Sequence, residues 1–311
     1  MPVLDNQGTS YAPHGTPAVL DGVTMRQSIP RDRSRAEANE LMPEQHQLPP
    51  ASSSSDDMPW PVMICLLGNF RLLVARKLVP TRAGGKSEAL LSLLALHAGR
   101  RVAREQLIQA LWPESDPALA RTSLRVLVHH LHTLLGPALQ GAAPVLHEDG
   151  YYRLNLAAGI GVDVVYFDRL VEAGDQQLHE CDAEMAMRSY DRAAQLYRDD
   201  MQLATDAQTV MERERLRASY LTLLGQLAEY HYQQGAYSMA LAYLWRLLER
   251  DAYREDAHRL VMRCYVRRDE RAAALHHYQV CVDMLRTEFD AVPETATVAL
   301  FEQICHDPDH I

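Results

Sequence analysis

At 311 residues and 47% hydrophobic content, the chain can fill about two buried cores, and no run in it approaches the ~18 apolar residues of a membrane span. Five scattered cysteines, with neither a C-x-x-C pair nor Cys/His spacing suited to zinc, exclude a disulfide scaffold and a zinc finger and suit a reducing cytoplasm. The formal charge of −10 excludes a chain basic throughout, yet it is unevenly spread: residues 61–156 carry 11 Lys and Arg against 6 Asp and Glu, the remainder 20 against 35.

Residues 1–60 lack a sustained hydrophobic period. Ser52-Ser53-Ser54-Ser55-Asp56-Asp57 before Pro59 reads as a disordered tail and linker, and the first residues show no charged-then-apolar leader. Order begins at Val62, where Val62–Leu67 and Phe70–Val74 form two β-type runs around the turn dipeptide Gly68-Asn69. From Lys86 the period becomes helical, with Leu90, Leu93, Leu94 and Leu96 on one side and a stop at Ala98-Gly99. A second short helix is expected from Val102 to Trp112, stopped by Pro113. Asp116-Pro117, a carboxylate cap before a first-turn proline, opens a third that runs to about Leu135. Val145-Leu146-His147 and Tyr151–Leu154 then flank Asp149-Gly150, the signal of a hairpin.

Strands, three helices and a hairpin, in this order, describe a winged helix-turn-helix whose third helix enters a DNA groove. On a 100° wheel Leu124, Val128, Leu131 and Leu135 face the core. Arg121, Arg125, His129 and His132 gather on one flank, with Thr122 and Thr133 beside them and Ser123 near the helix start. Arginine suits such a face because its planar fork grips guanine edges or phosphate.

From Val162 onward every strong segment is helical. Ala186-Met187-x-x-Tyr190, Ala240-Leu241-x-x-Leu244 and Ala274-Leu275-x-x-Tyr278 repeat one phrase, the last two copies 34 residues apart, with Gly235 and Asp269 at matching turn positions. A 34-residue period with a small residue at the helix crossing marks tetratricopeptide-type helix pairs. The first copy lies 54 residues ahead, so an insertion, assigned to a long helix around Val210–Tyr232, separates it. The fold class is therefore mostly α: a winged helix over 61–156, then an all-α tetratricopeptide-like repeat domain over 162–306.

Leu67-Gly68-x-Phe70, the run from Leu90 to Leu107 through His97-Ala98-Gly99-Arg100, Leu111-Trp112-Pro113, and Ala120-Arg121-x-Ser123-Leu124-x-Val126-x-Val128 resemble the DNA-binding domain of SARP-type activators. That domain is similar to the winged-helix output domain of two-component response regulators. Val162-Asp163 with Phe167, and Glu212-x-Glu214-Arg215-Leu216-Arg217, resemble the bacterial transcriptional activation domain that follows it. The resemblance spans about residues 62–305. It implies contact with double-stranded DNA by Arg121, Thr122, Arg125 and His129, with Arg104 and the wing near the backbone. It further implies an activator assisting RNA polymerase, and a helical domain for self-association or partner contact. His130, His132 and Thr133 stand where family members carry arginines, and the wing tip is acidic at Glu148-Asp149. Binding per module is accordingly expected to be weak, with homo-oligomerisation on adjacent half-sites as a remedy. The alternative is a tetratricopeptide-like adaptor whose degenerate winged helix binds protein.

Other chemistry is not supported. Gly84-Gly85-Lys86-Ser87 ends like a phosphate loop, but Pro80 stands where the first glycine belongs. His129-His130 and His276-His277 are adjacent, whereas helical metal sites place ligands at i and i+4. Glu212–Arg215 reads as a solvated helix face, and Tyr230, Tyr232, Tyr237, Tyr243 and Trp245 as packing between helix pairs. No nucleophile, base and orienter can be assembled, so an enzyme, a cofactor and a metal are not expected.

Overall fold

The computed structural model describes residues 60–80, 84–202 and 207–311; the tail expected over 1–60 lies outside these apart from Trp60. The first described strands are β1 (Val62–Cys65), β2 (Arg71–Val74) and β3 (Lys77–Val79). They form a sheet ordered β3-β2-β1-β7, where β7 (Ile160–Val162) returns about a hundred residues later. β1 runs antiparallel to β2, with Val62 opposite Val74, and parallel to β7, with Val62 opposite Ile160. All four β1 residues are buried. A strand covered on both faces needs apolar residues at successive positions, which Val-Met-Ile-Cys supplies. The expected Gly68 turn is present at φ 102°. Sequence reasoning misses β3, because the turn before it is Ala75-Arg76, with φ of 49° and 64°. Such a two-residue turn is normally signalled by Asn or Gly, which adopt positive φ at low cost.

The helices α1 (Lys86–Leu96), α2 (Arg104–Leu111) and α3 (Pro117–Leu135) follow. α1 stops where Ala98 and Gly99 turn left-handed, at φ 46° and 79°. The helix expected from Val102 is corrected at its start: Val102–Ala103 is a short strand, β4, and helix begins only at Arg104. Val102 pairs with Tyr152 and Ala103 with Tyr151, so a ladder partner distant in sequence overrides the local helical pattern. α3 starts as its sequence predicts, with the Asp116 carboxylate accepting from the N–H groups of Ala118 (2.9 Å) and Leu119 (3.2 Å). β5 (Val145–Glu148) and β6 (Tyr151–Leu154) make the wing, turning at Asp149 (φ 50°) and Gly150 (φ 82°), the type I′ geometry that Asp-Gly favours. Leu90, Leu94, Leu107, Leu111, Leu124, Leu131, Tyr152 and Leu154 close one apolar core beneath α3 and the wing. Each such leucine stabilises the fold by roughly 1.5–3 kcal/mol.

β7 leads directly into α4 (Asp163–His179). Asp163 is only 1% exposed, and its carboxylate accepts from three backbone N–H groups: Leu66 (2.8 Å), Leu67 (2.9 Å) and Val164 (2.9 Å). This residue joins the end of β1 to the first turn of the helical region. Burial raises its pKa to about 6, although the three N–H donors favour the charged form.

The helical region comprises α4 with α5 (Ala183–Leu196), α6 (Ala207–Gln233) with α7 (Tyr237–Arg250), and α8 (Glu255–Arg267) with α9 (Arg271–Phe289), followed by α10 (Thr295–His306). The small residues of the repeated phrase, Ala186, Ala240 and Ala274, are fully buried. Five residues before each, Cys181, Gly235 and Asp269 all have positive φ, at 63°, 72° and 60°. The turn thus recurs in all three pairs, including the one whose 54-residue spacing obscures it. The extra length lies in α6, which has 27 residues against 13 in α8, and in the stretch leading to it. Gly174 permits the first pair: a Cβ there would lie 2.3 Å from the ring of buried Tyr190. Among the described residues no helix is long and apolar enough to cross a membrane.

Candidate nucleic-acid interface

α3 presents Arg121, Thr122, Ser123, Arg125, His129, His130, His132 and Thr133 to solvent, while Ala120, Leu124, Leu131 and Leu135 anchor its other side. The side chains reach outward because the buried positions recur at helical spacing and leave a broad arc uncovered. Arg121 and Arg125 make no hydrogen bond or ion pair among the described residues. Thr122 and Thr133 donate their hydroxyl protons back to the helix, to the carbonyls of Ala118 and His129, both at 3.1 Å.

The wing and α2 close one flank of this face. The Arg104 N–H donates to the Gly150 carbonyl at 2.9 Å, which docks the start of α2 under the wing turn. Burial raises the Tyr152 phenol, opposed by the positive charges of Arg104 and Arg125, so both arginines stand within electrostatic reach of the wing. Glu105, exposed on the first turn of α2, is held below the usual carboxylate range by its own backbone N–H, by the Arg104 guanidinium at 3.2 Å, and more weakly by the charge of Arg121. The structure therefore brings Arg104, Arg121 and Arg125 to one flank, with His129 and His132 continuing it along α3. Ser123 is not on that flank, since two residues turn the helix by about 200°.

Three features of this face escape sequence reasoning. Glu105 tempers the positive charge of the arginines around it. Arg101 reaches Glu148 at 3.4 Å, so one of the two wing-tip acids has a cationic partner. β4 carries both effects, because its pairing with β6 sets residues 101–105 against the wing. The Arg100-Arg101 doublet was the available signal, but it points to the wing only once β4 is known to be a strand.

Lys86, the lysine of the Gly-Gly-Lys-Ser run, serves the fold. Its amine donates to the Leu111 carbonyl at 2.5 Å and lies 5.8 Å from the Trp112 ring centroid. It caps the C-terminal end of α2, where a cation is favourable. His277 is likewise engaged. His258 Nε2 lies 2.8 Å from the Ala252 carbonyl and so carries a proton; its Nδ1 then accepts from His277 Nε2 at 2.9 Å. Burial, reinforced by the neighbouring His258 and His276, lowers the His277 pKa to about 3.

The helical region pairs several of its arginines and tyrosines with carboxylates. Arg215 donates to both carboxylate oxygens of Asp168 at 2.9 Å and to Glu212 at 2.6 Å, tying α6 to α4 rather than forming only a solvated face. Arg250 pairs with Asp199, and Arg259 with Glu294 at 2.8 Å. Tyr190, Tyr197 and Tyr243 donate to Asp175, Asp200 and Asp191. A groove of about 790 Å³ between α5, α6, α7 and α8 has an apolar floor that includes Met187, Leu244 and Leu260.

Two family models match the chain: "Bacterial transcriptional activator domain" over residues 162–305 and "Transcriptional regulatory protein, C terminal" over residues 80–151. Over 222 residues the chain is 27% identical to Transcriptional regulatory protein MoaR1 of Mycobacterium tuberculosis, covering 70% of this chain and 71% of that protein. It is also 27% identical to Regulatory protein AfsR of Streptomyces coelicolor, of which it covers 22%. A solved structure, Mycobacterium tuberculosis EmbR in complex with low affinity phosphopeptide, is similar with a TM-score of 0.64 and 25% identity. That match covers 79% of this chain and 65% of the EmbR chain, so this chain spans slightly under two thirds of it.

Proposed function

The chain belongs to the SARP-type transcriptional activators, a response-regulator-like winged helix followed by a bacterial transcriptional activation domain, and from that premise we propose that it grips promoter DNA through the basic flank of α3. The protein is a DNA-binding transcriptional regulator. In this reading α3 lies in the major groove, Arg121 and Arg125 reach base edges or phosphates, and His129, His132 and Thr122 extend the contact, while Ser123 stands off this flank near the helix start. Arg104 meets the backbone beside the wing. The observation that carries the reading is that Arg121 and Arg125 are exposed and unpaired on a face the wing flanks.

Winged helix and helical region divide the work: the first holds DNA, the second holds a further copy of the chain or RNA polymerase and thereby raises transcription in the cytoplasm. Its boundaries are taken as 61–156 and 162–306. Pairing of copies on adjacent half-sites compensates for a recognition helix that ends in histidines rather than arginines. Catalysis has no place in this role.

Fluorescence anisotropy of the full chain against its own upstream DNA and a scrambled duplex, across a salt series, tests the proposal. Preference for the upstream DNA, with affinity falling as salt rises, is expected. Arg121→Ala with Arg125→Ala should weaken binding at least about 30-fold at unchanged helix content, two base-contacting arginines each contributing roughly 1–3 kcal/mol. Equal, feeble binding to both duplexes by a folded chain would overturn it in favour of an adaptor.

A further inference from the structure

Leu119 is 69% exposed and Val126 63% exposed, although both are large apolar side chains, the first in the opening turn of α3 and the second near its middle. They are seven residues apart, so they stand on nearly the same side of α3, about 10.5 Å apart along its axis. That side is opposite Leu124, Leu131 and Leu135 and adjoins the arginine flank. Thr122 and Thr133 direct their protons to backbone carbonyls of the same helix, which leaves the exposed hydroxyl of Ser123 as the polar group on the far edge of this side. α3 thus presents two chemistries side by side: guanidinium groups on the flank facing the wing, and an apolar stripe of Leu119, Val126 and the Thr122 methyl at the apex.

We propose that this stripe reads thymine through its 5-methyl group, an inference that rests on α3 lying in the major groove. The thymine methyl is the one apolar feature that an unmodified base pair displays there, and apolar side chains are its natural partners. The positive flank argues for DNA as the occupant: the arginines draw in phosphate and can take guanine N7 and O6, and the stripe then meets whatever lies beside those guanines. The operator class follows as guanines with thymines next to them, the methyl-sensitive thymines falling about three base-pair steps apart where Leu119 and Val126 touch. Covering the stripe also removes apolar surface from water, an advantage that cytosine or uracil at the same place gives up.

The test uses the full chain and duplexes enriched from a random pool. In the tightest duplex each thymine is replaced singly by deoxyuridine, which deletes only the methyl group, and binding is measured for the wild type, Val126→Ala and Leu119→Ala. One or two replacements should weaken wild-type binding about fourfold, the expected value of one buried methyl. Val126→Ala should abolish the difference between thymine and deoxyuridine at one of these positions, and Leu119→Ala at the other. Both sites are exposed, so circular dichroism should be unchanged. Sequence-selective binding that ignores every replacement would overturn the inference while leaving the DNA-binding role intact. Unchanged discrimination in both variants would do the same, as would loss of self-association in the variants without any change in methyl sensitivity, which would make the stripe an interface between copies. Failure to enrich any sequence would overturn the DNA-binding role and this inference with it.

Discussion

Arg121 and Arg125 in α3 are exposed and have no partner among the described residues, whereas Arg215 in α6 holds Asp168 and Glu212 with its whole guanidinium. The same contrast extends to hydroxyls. Thr122 and Thr133 bond only their own helix, while Tyr190 and Tyr243 tie α5 to α4 and α7 to α5 through the carboxylates of Asp175 and Asp191. An arginine already neutralised by two carboxylates would have to break those bonds to hold phosphate, so it serves the fold. Unpaired arginines on an ordered helix contribute little to stability and remain available to a ligand. Partnering distinguishes these arginines of α3 from Arg215, Arg250 and Arg259 of the helical region.

Four perturbations can break or sharpen that contrast. The largest effect is expected from Asp163→Ala, which orphans the N–H groups of Leu66, Leu67 and Val164. At roughly 1–3 kcal/mol for each buried donor, offset by removal of a buried charge, the loss should be about 3 kcal/mol and visible as a melting temperature lower by about 6–12 °C. Thermal denaturation at pH 7 that shows no loss would remove Asp163 as the link between the two regions. Gly174→Ala comes next. Helix propensity favours alanine by up to about 1 kcal/mol, but its Cβ would meet Tyr190, whose hydroxyl is fixed on Asp175 at 2.5 Å. Overpacking should prevail by about 2 kcal/mol, with DNA affinity per folded molecule unchanged. A variant as stable as the wild type would mean that α4 and α5 separate easily.

The third perturbation is pH. His277 has a folded pKa near 3 against about 6.5 unfolded, so the unfolded chain takes up the proton first and stability falls as pH drops below about 6.5, by about 1 kcal/mol at pH 5.5. Asp163 works the other way: its folded pKa near 6 lies above the ordinary carboxylate value, so its contribution is full at low pH and is lost as pH rises through 6. Between pH 7 and 5.5 the two partly offset each other, the loss from His277 being the larger. Chemical denaturation of His277→Gln over this range should show stability rising on acidification, and Asp163→Asn should show it falling more steeply than in the wild type. Parallel slopes in all three proteins would refute the assignment. The smallest effect belongs to Arg215→Ala. This partly exposed network should be worth at most about 1 kcal/mol, and DNA binding should not respond; a response equal to that of Arg121→Ala would erase the contrast drawn above.

Much of this architecture can be read from the chain because local signals agree with it. Asp116-Pro117 marks the start of α3, Asp149-Gly150 the wing turn, and the repeated alanines the crossings of the helix pairs. The features that escape are made by partners distant in sequence. β4 exists only because Tyr151 and Tyr152 lie beside it, and β3 follows a turn whose Ala75-Arg76 carries no turn signal. Cys181 occupies the same left-handed position as Gly235 and Asp269, but cysteine does not announce it. At the interface the exposed arc of α3 follows from helical spacing alone. That Glu105 stands near Arg121, and that Arg101 answers Glu148, depends on how β4 packs.

The parallel pairing of β1 with β7 sets an order of events during synthesis. Val62 emerges from the ribosome early, yet its partner Ile160 and the carboxylate that accepts from Leu66 and Leu67 follow about a hundred residues later. At typical translation rates of about 5–20 residues per second, β1 waits several seconds with one edge unpaired. A nascent chain halted at residue 156 would hold α3 and the wing but an incomplete first sheet. The earliest point at which the DNA-binding half can be finished is therefore the first turn of the helix that begins the other half.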